Sequence, residues 1–291
     1  MNRGDNQKLY IDRMAHGADD KKRLLQWVHN GDCILDVGTG RLTMPNLIST
    51  KYPDCSVYAL EASKSMYEEA MEYMRDNPIS SCDLFNTDYF RYMDNDEEEK
   101  YDCIVFCSVL HEIFSYTEYN GQYFNPDIIK EALHTAVKGL KPGGRILIRD
   151  AIRPEAETSV LVTAKDEETT RLIERFNWEF RGNNYLCKRV GHNKFKLPYS
   201  STVDLLYTIT WGPESFPFEV KEQLGYYTCA DWDNLIEELH DFYAIEKLHF
   251  ERYLQQGYID HLESKVSLTA LDGRAFGFPY SNMILVLRKP K

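Results

Sequence analysis

No stretch of the 291-residue chain is apolar over the roughly 20 residues that a membrane-spanning helix needs, so an integral membrane protein is not expected. CxxC pairs are missing as well: the seven cysteines, at 33, 55, 82, 103, 107, 187 and 229, are scattered and odd in number. That scatter argues against a disulfide framework or a zinc knuckle; it predicts no metal site and a reducing, cytoplasmic compartment. Met1 to Tyr10 is polar and has no apolar signal core, which points away from secretion. Positive charge is in short supply: 34 Lys and Arg against 46 Asp and Glu give a net charge of −12. A chain so acidic is a poor candidate for gripping DNA or RNA, which takes cationic surface to replace counterions. What remains is 43% hydrophobic and 27% charged, the composition of a globular protein long enough for one large domain or two small ones.

The first 150 residues alternate strand and helix signals. Asp19 to Asn30 reads as a helix with a Leu24, Leu25, Trp27, Val28 stripe, stopped by Gly31. Strands are predicted at Cys33–Val37, Ser56–Leu60, Cys82–Asn86, Tyr101–Cys107 and Arg145–Ile148. Helices are predicted at Arg41–Thr50, where Pro45 fits only the first turn, at Ser63–Met74, and from Asn125-Pro126 to Gly139. Such alternation implies a parallel sheet with helices on both faces. From Ile152 to Ala230 the rhythm breaks. Helices are expected at Glu167–Phe176 and Ser201–Trp211, the latter opened by a Ser201…Asp204 capping pattern; Thr228…Asp231 opens another. Strands return near Ala244–Phe250 and Met283–Leu287, and the acidic run Asp94–Glu99 reads as a solvated loop.

The turn Asp36-Val37-Gly38-Thr39-Gly40, between a strand and a helix, lets a ligand approach backbone at the strand's end. A dinucleotide fingerprint needs a third glycine where Thr43 stands, and the Asp36 carboxylate would repel a pyrophosphate while attracting a cation. Glu61 closes the second strand, where a carboxylate can take both hydroxyls of a ribose. Asp88 follows the third strand and can accept from an adenine amino group, with Tyr89 beside the ring. Taken singly, each acid is more often a surface or cap residue; three at successive strand ends converge on one crevice.

These residues resemble the class I S-adenosylmethionine-dependent methyltransferases. Ile34 to Gly40 is similar to their first motif, Glu61 to their ribose-binding acid, Asp88 to their adenine-side acid, and Leu140-Lys-Pro-Gly-Gly144 to their turn before strand five. The resemblance covers roughly residues 30–150, with 283–287 resembling the final antiparallel strand; Leu42 stands where many members have a third glycine. It implies an α/β fold with a Rossmann-like seven-stranded sheet, helices on both faces, and a helical cap between strands five and six. The implied division is an N-terminal helical segment 1–30, a cofactor-binding domain 31–151 and 231–291, and a substrate cap 152–230. It further implies S-adenosylmethionine as cofactor, held by Asp36, Gly38, Thr39, Gly40, Glu61, Ala62, Asp88, Tyr89, Cys107 and Ser108.

Methyl transfer is an in-line displacement, so the protein must chiefly align the reactants and exclude water; a base helps only where the acceptor arrives protonated. His111, just beyond strand four, is the candidate base or substrate contact, with Glu112 to orient it; the alternative is a cap or a satisfied buried carbonyl. Ser115 stands where a zinc-protease helix would need its second histidine. Arg149 faces the crevice as a substrate contact or as half of a structural ion pair with Asp150. The segment after strand four, Cys107-Ser-Val-Leu110, lacks the Asn-Pro-Pro-Tyr and Pro-Cys patterns of nucleic-acid methylation, which leaves a small-molecule acceptor as the expectation. The 152–230 segment is rich in aromatics, among them Trp178, Tyr185, Tyr207 and Trp211. Most are expected to form its own core, while Tyr207 and Trp211 are candidate walls for an aromatic or heterocyclic acceptor. Tyr10 to Met14 is placed over the cofactor by position alone. Two other readings stay open: transfer of another group from the same cofactor, and a non-catalytic binding module.

Overall fold

The computed structural model describes residues 18–96, 98–183 and 187–291. Tyr10 to Met14, most of the 1–30 segment, and Tyr185 lie outside the described residues. The first helix, Ala18–Lys21, continues as a 3-10 turn over Lys22–Trp27.

One sheet of seven strands organises the chain. Strands β1 (Cys33–Val37), β2 (Ser56–Leu60), β3 (Cys82–Phe85), β4 (Tyr101–Cys107) and β5 (Leu140–Ala151) run parallel. With β9 (Glu246–Tyr253) and β11 (Asn282–Arg288), the order across the sheet is β3-β2-β1-β4-β5-β11-β9, β11 being antiparallel to both neighbours. Period-2 alternation splits the apolar runs between two cores. Leu35, Val37, Ile104 and Phe106 point to the side covered by the helices Leu110–Tyr116, Asp127–Gly139 and Cys229–Tyr243. Ile34, Val57, Cys103 and Val105 face the side that buries Leu24, Leu25, Met44, Ile48 and Ala70. The expected doubly covered sheet is therefore present, with every expected strand in it.

The insertion holds the expected helices and adds strands to them. Strands β6 (Ser159–Ala164), β7 (Lys188–Arg189) and β8 (Lys194–Pro198) join β10 (Val266–Ala270) in a second antiparallel sheet ordered β10-β6-β8-β7. Its core packs Val160, Val162, Phe195 and Leu197 against the helices Glu167–Glu179, Thr202–Thr210 and Gln256–Lys265, through residues such as Phe176, Leu206 and Leu262. Part of this layer thus comes from beyond residue 230. Ser-Val-Leu-Val-Thr-Ala at 159–164 alternates between core and surface, the pattern of a half-buried strand. The Ser201…Asp204 pattern is no capping box: Asp204 is buried and accepts from the Gly225 backbone N–H at 2.7 Å. Thr228 and Asp231 do form the reciprocal box.

Candidate functional site

Strand order reverses between β1 and β4, and the crevice at such a switch point is where open α/β sheets bind ligands. A cavity of about 320 Å³ lies there. Its floor is the turn after β1. Gly38 has φ +68°, and a Cβ there would stand 2.3 Å from Val109 Cγ2, so the close approach of the two strand ends requires glycine. Gly40 has φ +57° and donates its N–H to Glu61 Oε2 at 3.0 Å. Leu42 occupies the left-handed region too, at φ 60°, which explains why a third glycine suits this position. Here the side chain is instead fully buried in the core against the helix Thr43–Lys51.

Two of the three expected acids line the cavity. Asp36 is buried, and among the described residues its Oδ2 has no hydrogen-bond partner. Burial pushes its carboxyl up to about 7, with Thr39 and the Lys21 ammonium pulling the other way. Glu61 accepts from Ser63 N–H at 2.8 Å as well as from Gly40; burial raises its carboxyl, and these two backbone bonds lower it. Thr39, Ala62, Cys107 and Ser108 also line the cavity. Ser108, at φ 60°, is fixed from β5: its N–H donates to Arg149 O at 2.7 Å and its Oγ accepts from Arg149 Nη1 at 2.5 Å.

The third acid is placed differently. Asp88 is exposed and caps the short helix Tyr89–Met93 through Arg91 N–H at 3.0 Å, outside the lining. Tyr89 is a core residue: its hydroxyl donates to Ala132 O at 3.0 Å and its ring packs edge-on against Phe106. The physical reason is that the chain turns into a helix directly after β3, so the carboxylate is used on the helix's free N–H groups.

His111 is buried with its Nδ1 2.7 Å from Asp150 Oδ1, while Asp150 Oδ2 accepts the His111 backbone N–H at 3.1 Å. Burial alone would lower the imidazole, but the Asp150 carboxylate beside it outweighs that, together with Glu222 and Glu112, and raises it to about 10. Asp150 is held below the usual carboxylate range because the His111 charge opposes its burial. With Nδ1 engaged by Asp150, Nε2 faces Glu222 Oε2 at 3.8 Å, and His111 itself stands just behind the cavity lining. Glu112 lines the cavity beside it.

The three expected substrate contacts are not brought to the cavity. Arg149 is spent on structure: it pairs with Asp20 at 2.5 Å and holds Ser108, not Asp150. Tyr207 donates to Ser281 O at 3.0 Å inside the second core, and Trp211 packs edge-on to His261. An aromatic count does not reveal which way a ring points. Conversely, Lys21, Tyr116 and Glu222 line the cavity without any local sequence signal. Lys21 closes an ordinary helix, and Glu222 arrives from the insertion, where Tyr116 Oη donates to its Oε1 at 2.8 Å.

Residues 35–146 match the family described as "Methyltransferase domain". The match runs from β1 into β5 and contains the glycine turn, Glu61 and His111. Residues 35–146 carry a methyltransferase domain.

Solved structures agree on the fold. A protein of Bacillus halodurans assigned as a methyltransferase superposes with a TM-score of 0.51 at 14% identity, over 94% of this chain and 100% of that one. A Haloferax volcanii protein assigned as a methyltransferase, in complex with the Trm112 methyltransferase activator, gives 0.53 at 10% identity over 99% and 96%. An assigned O-methyltransferase of Nostoc punctiforme gives 0.50 at 12% over 94% of this chain, which spans only 56% of that chain. At such identities the likeness concerns the fold alone. No curated protein sequence matches.

S-adenosylmethionine is the cofactor of this methyltransferase domain. The residues fit it. The orphaned Asp36 oxygen asks for a donor, and the cofactor brings an ammonium and a sulfonium. Lys21 in the same cavity offers a cation to its carboxylate, and Glu61 retains acceptor capacity for hydroxyls beyond its two backbone bonds.

Proposed function

We propose that the chain transfers a methyl group from S-adenosylmethionine to a small, polar acceptor in the cytoplasm, and that Asp36, Glu61 and Lys21 hold the cofactor. The observation carrying this is Asp36, a buried carboxylate with an oxygen that none of the described residues satisfies, next to Glu61 in the switch-point cavity. When bound, the cofactor supplies a methyl group already activated on a positively charged sulfur. The protein's part is alignment and exclusion of water. Gly38 admits the cofactor against the backbone, and Ser108, locked by Arg149, fixes the end of β4.

The acceptor side is formed by Glu112, Tyr116 and Glu222. Gln223 N–H donates to Ser115 Oγ at 2.9 Å, tying the insertion down over the helix Leu110–Tyr116. A mouth fastened in this way suits a small acceptor better than a nucleic-acid duplex or a folded protein. Its carboxylates favour an acceptor with hydroxyl or amine donors and draw its proton away. Tyr207 and Trp211 lie elsewhere, so the aromatic ring at the cavity is that of Tyr116. In functional terms, residues 31–151 and 231–291 carry the cofactor, and 152–230 carries the cap, with Gln256–Ala270 added to it. A screen of hydroxylated and amine metabolites for release of demethylated cofactor, followed by product mass, tests the proposal. Turnover with a small acceptor and a mass gain of one CH2 is expected. Turnover only on RNA or protein, or a transferred group of another mass, would contradict it.

A further inference from the structure

Three side chains converge where the helix Leu110–Tyr116 meets the insertion. One ligand atom from each of His111, Glu112 and Glu222 lies within 4.8 Å of the other two. We propose that these three residues bind a divalent first-row metal ion at the acceptor end of the cavity.

Geometry supports an ion better than a hydrogen-bonded trio. His111 Nε2 and Glu222 Oε2 are 3.8 Å apart, too far for a hydrogen bond. Metal–ligand bonds of about 2.0–2.3 Å put neighbouring ligand atoms roughly 3–4 Å apart, which brackets that gap. Both buried ligands are also oriented from behind, as metal ligands are. His111 Nδ1 is held by Asp150, whose own carboxylate is fixed by the Ala151 and His111 N–H groups. Ring rotation is thereby blocked and Nε2 is aimed at the two glutamates. Glu222 Oε1 is held by Tyr116 Oη at 2.8 Å, leaving Oε2 for the ion.

Charge points the same way. Three carboxyl groups, from Asp150, Glu112 and Glu222, surround one imidazole in a largely buried place, an arrangement that a doubly charged cation relieves. One nitrogen and two carboxylate oxygens suit Mn2+ or Zn2+ and leave coordination positions open. Since Glu112 and Glu222 line the cavity, those positions face the acceptor, whose class becomes a molecule with two adjacent oxygens able to chelate. This last step rests on the proposed function; the ion site does not.

The test is Mn2+ binding to the full chain after chelator treatment, followed by calorimetry and by the electron paramagnetic resonance of bound Mn2+. One equivalent is expected, weakened about tenfold or more in Glu222→Gln and in the half-exposed, least disruptive Glu112→Gln. Asp150→Asn, which reaches the ion through His111, is expected to weaken it by about 10–100-fold. Absence of stoichiometric binding, or binding that ignores both glutamate variants, overturns the site. S-adenosylmethionine binding, titrated separately on each protein, shows that it is folded. Cofactor binding without Mn2+ binding defeats this inference and leaves the methyltransferase reading standing; Mn2+ binding without cofactor binding does the reverse.

Discussion

A buried carboxylate oxygen without a donor costs free energy, and among the described residues none donates to Asp36 Oδ2. Its folded pKa of about 7 lies above the ordinary 3.8, so between those values the folded state binds more protons than the unfolded one. Stability of the free protein therefore falls as pH rises across that window, through this group. A cationic cofactor favours the ionised form, so affinity for S-adenosylmethionine should rise with pH up to about 7 and then level off. Asp36→Asn should weaken binding and flatten that rise, which calorimetry at several pH values would read. An affinity independent of pH in the native protein would remove Asp36 from the ligand's surroundings.

Elements hold these residues by close approaches that leave little slack. Gly38→Ala would set a Cβ 2.3 Å from Val109 at positive φ, and a loss of about 1–3 kcal/mol is expected with weaker cofactor binding. Val109→Ala in the same chain should restore part of both, because the clash is with a side chain rather than with backbone; denaturant unfolding of the single and double variants would show it. Leu42 poses the opposite question. Left-handed backbone costs a non-glycine residue about 1–2 kcal/mol, but burying a leucine is worth more, about 2–5 kcal/mol when truncated. Leu42→Gly should therefore destabilise despite relieving φ 60°. A gain in stability would mean that strain outweighs packing there.

Across the whole molecule, function depends on two cores meeting at one helix. Ser115 Oγ donates to His111 O and accepts from Gln223 N–H, so one buried hydroxyl links the helix Leu110–Tyr116 to the insertion. Ser115→Ala leaves that N–H without its acceptor, with an expected cost of about 1–3 kcal/mol. It should raise the KM for the acceptor more than it weakens cofactor binding; equal effects on both would show that the insertion does not shape the acceptor side.

The same division explains what the sequence reveals. The seven-stranded sheet was legible because each strand is a local apolar run bounded by turns, and Asp36, Gly38, Gly40 and Glu61 sit at strand ends fixed by that pattern. The second sheet was not, because β6 pairs with β10 about a hundred residues later in the chain, and no local periodicity records a partner so distant. Lys21 and Glu222 escaped for the same reason: docking alone brings them to the cavity. Asp88, Tyr207 and Trp211 were plausible by residue type, but helix capping and core packing claimed them.

The central claim is that the crevice between β1 and β4 binds S-adenosylmethionine through its strand-end acids. Calorimetric titration of the native chain and of Glu61→Ala with the cofactor tests it most directly. The account predicts one site, weakened about ten- to a hundredfold in Glu61→Ala, the range for losing a hydrogen bond to a charged group. No binding to the native chain, or equal binding to both proteins, would contradict it.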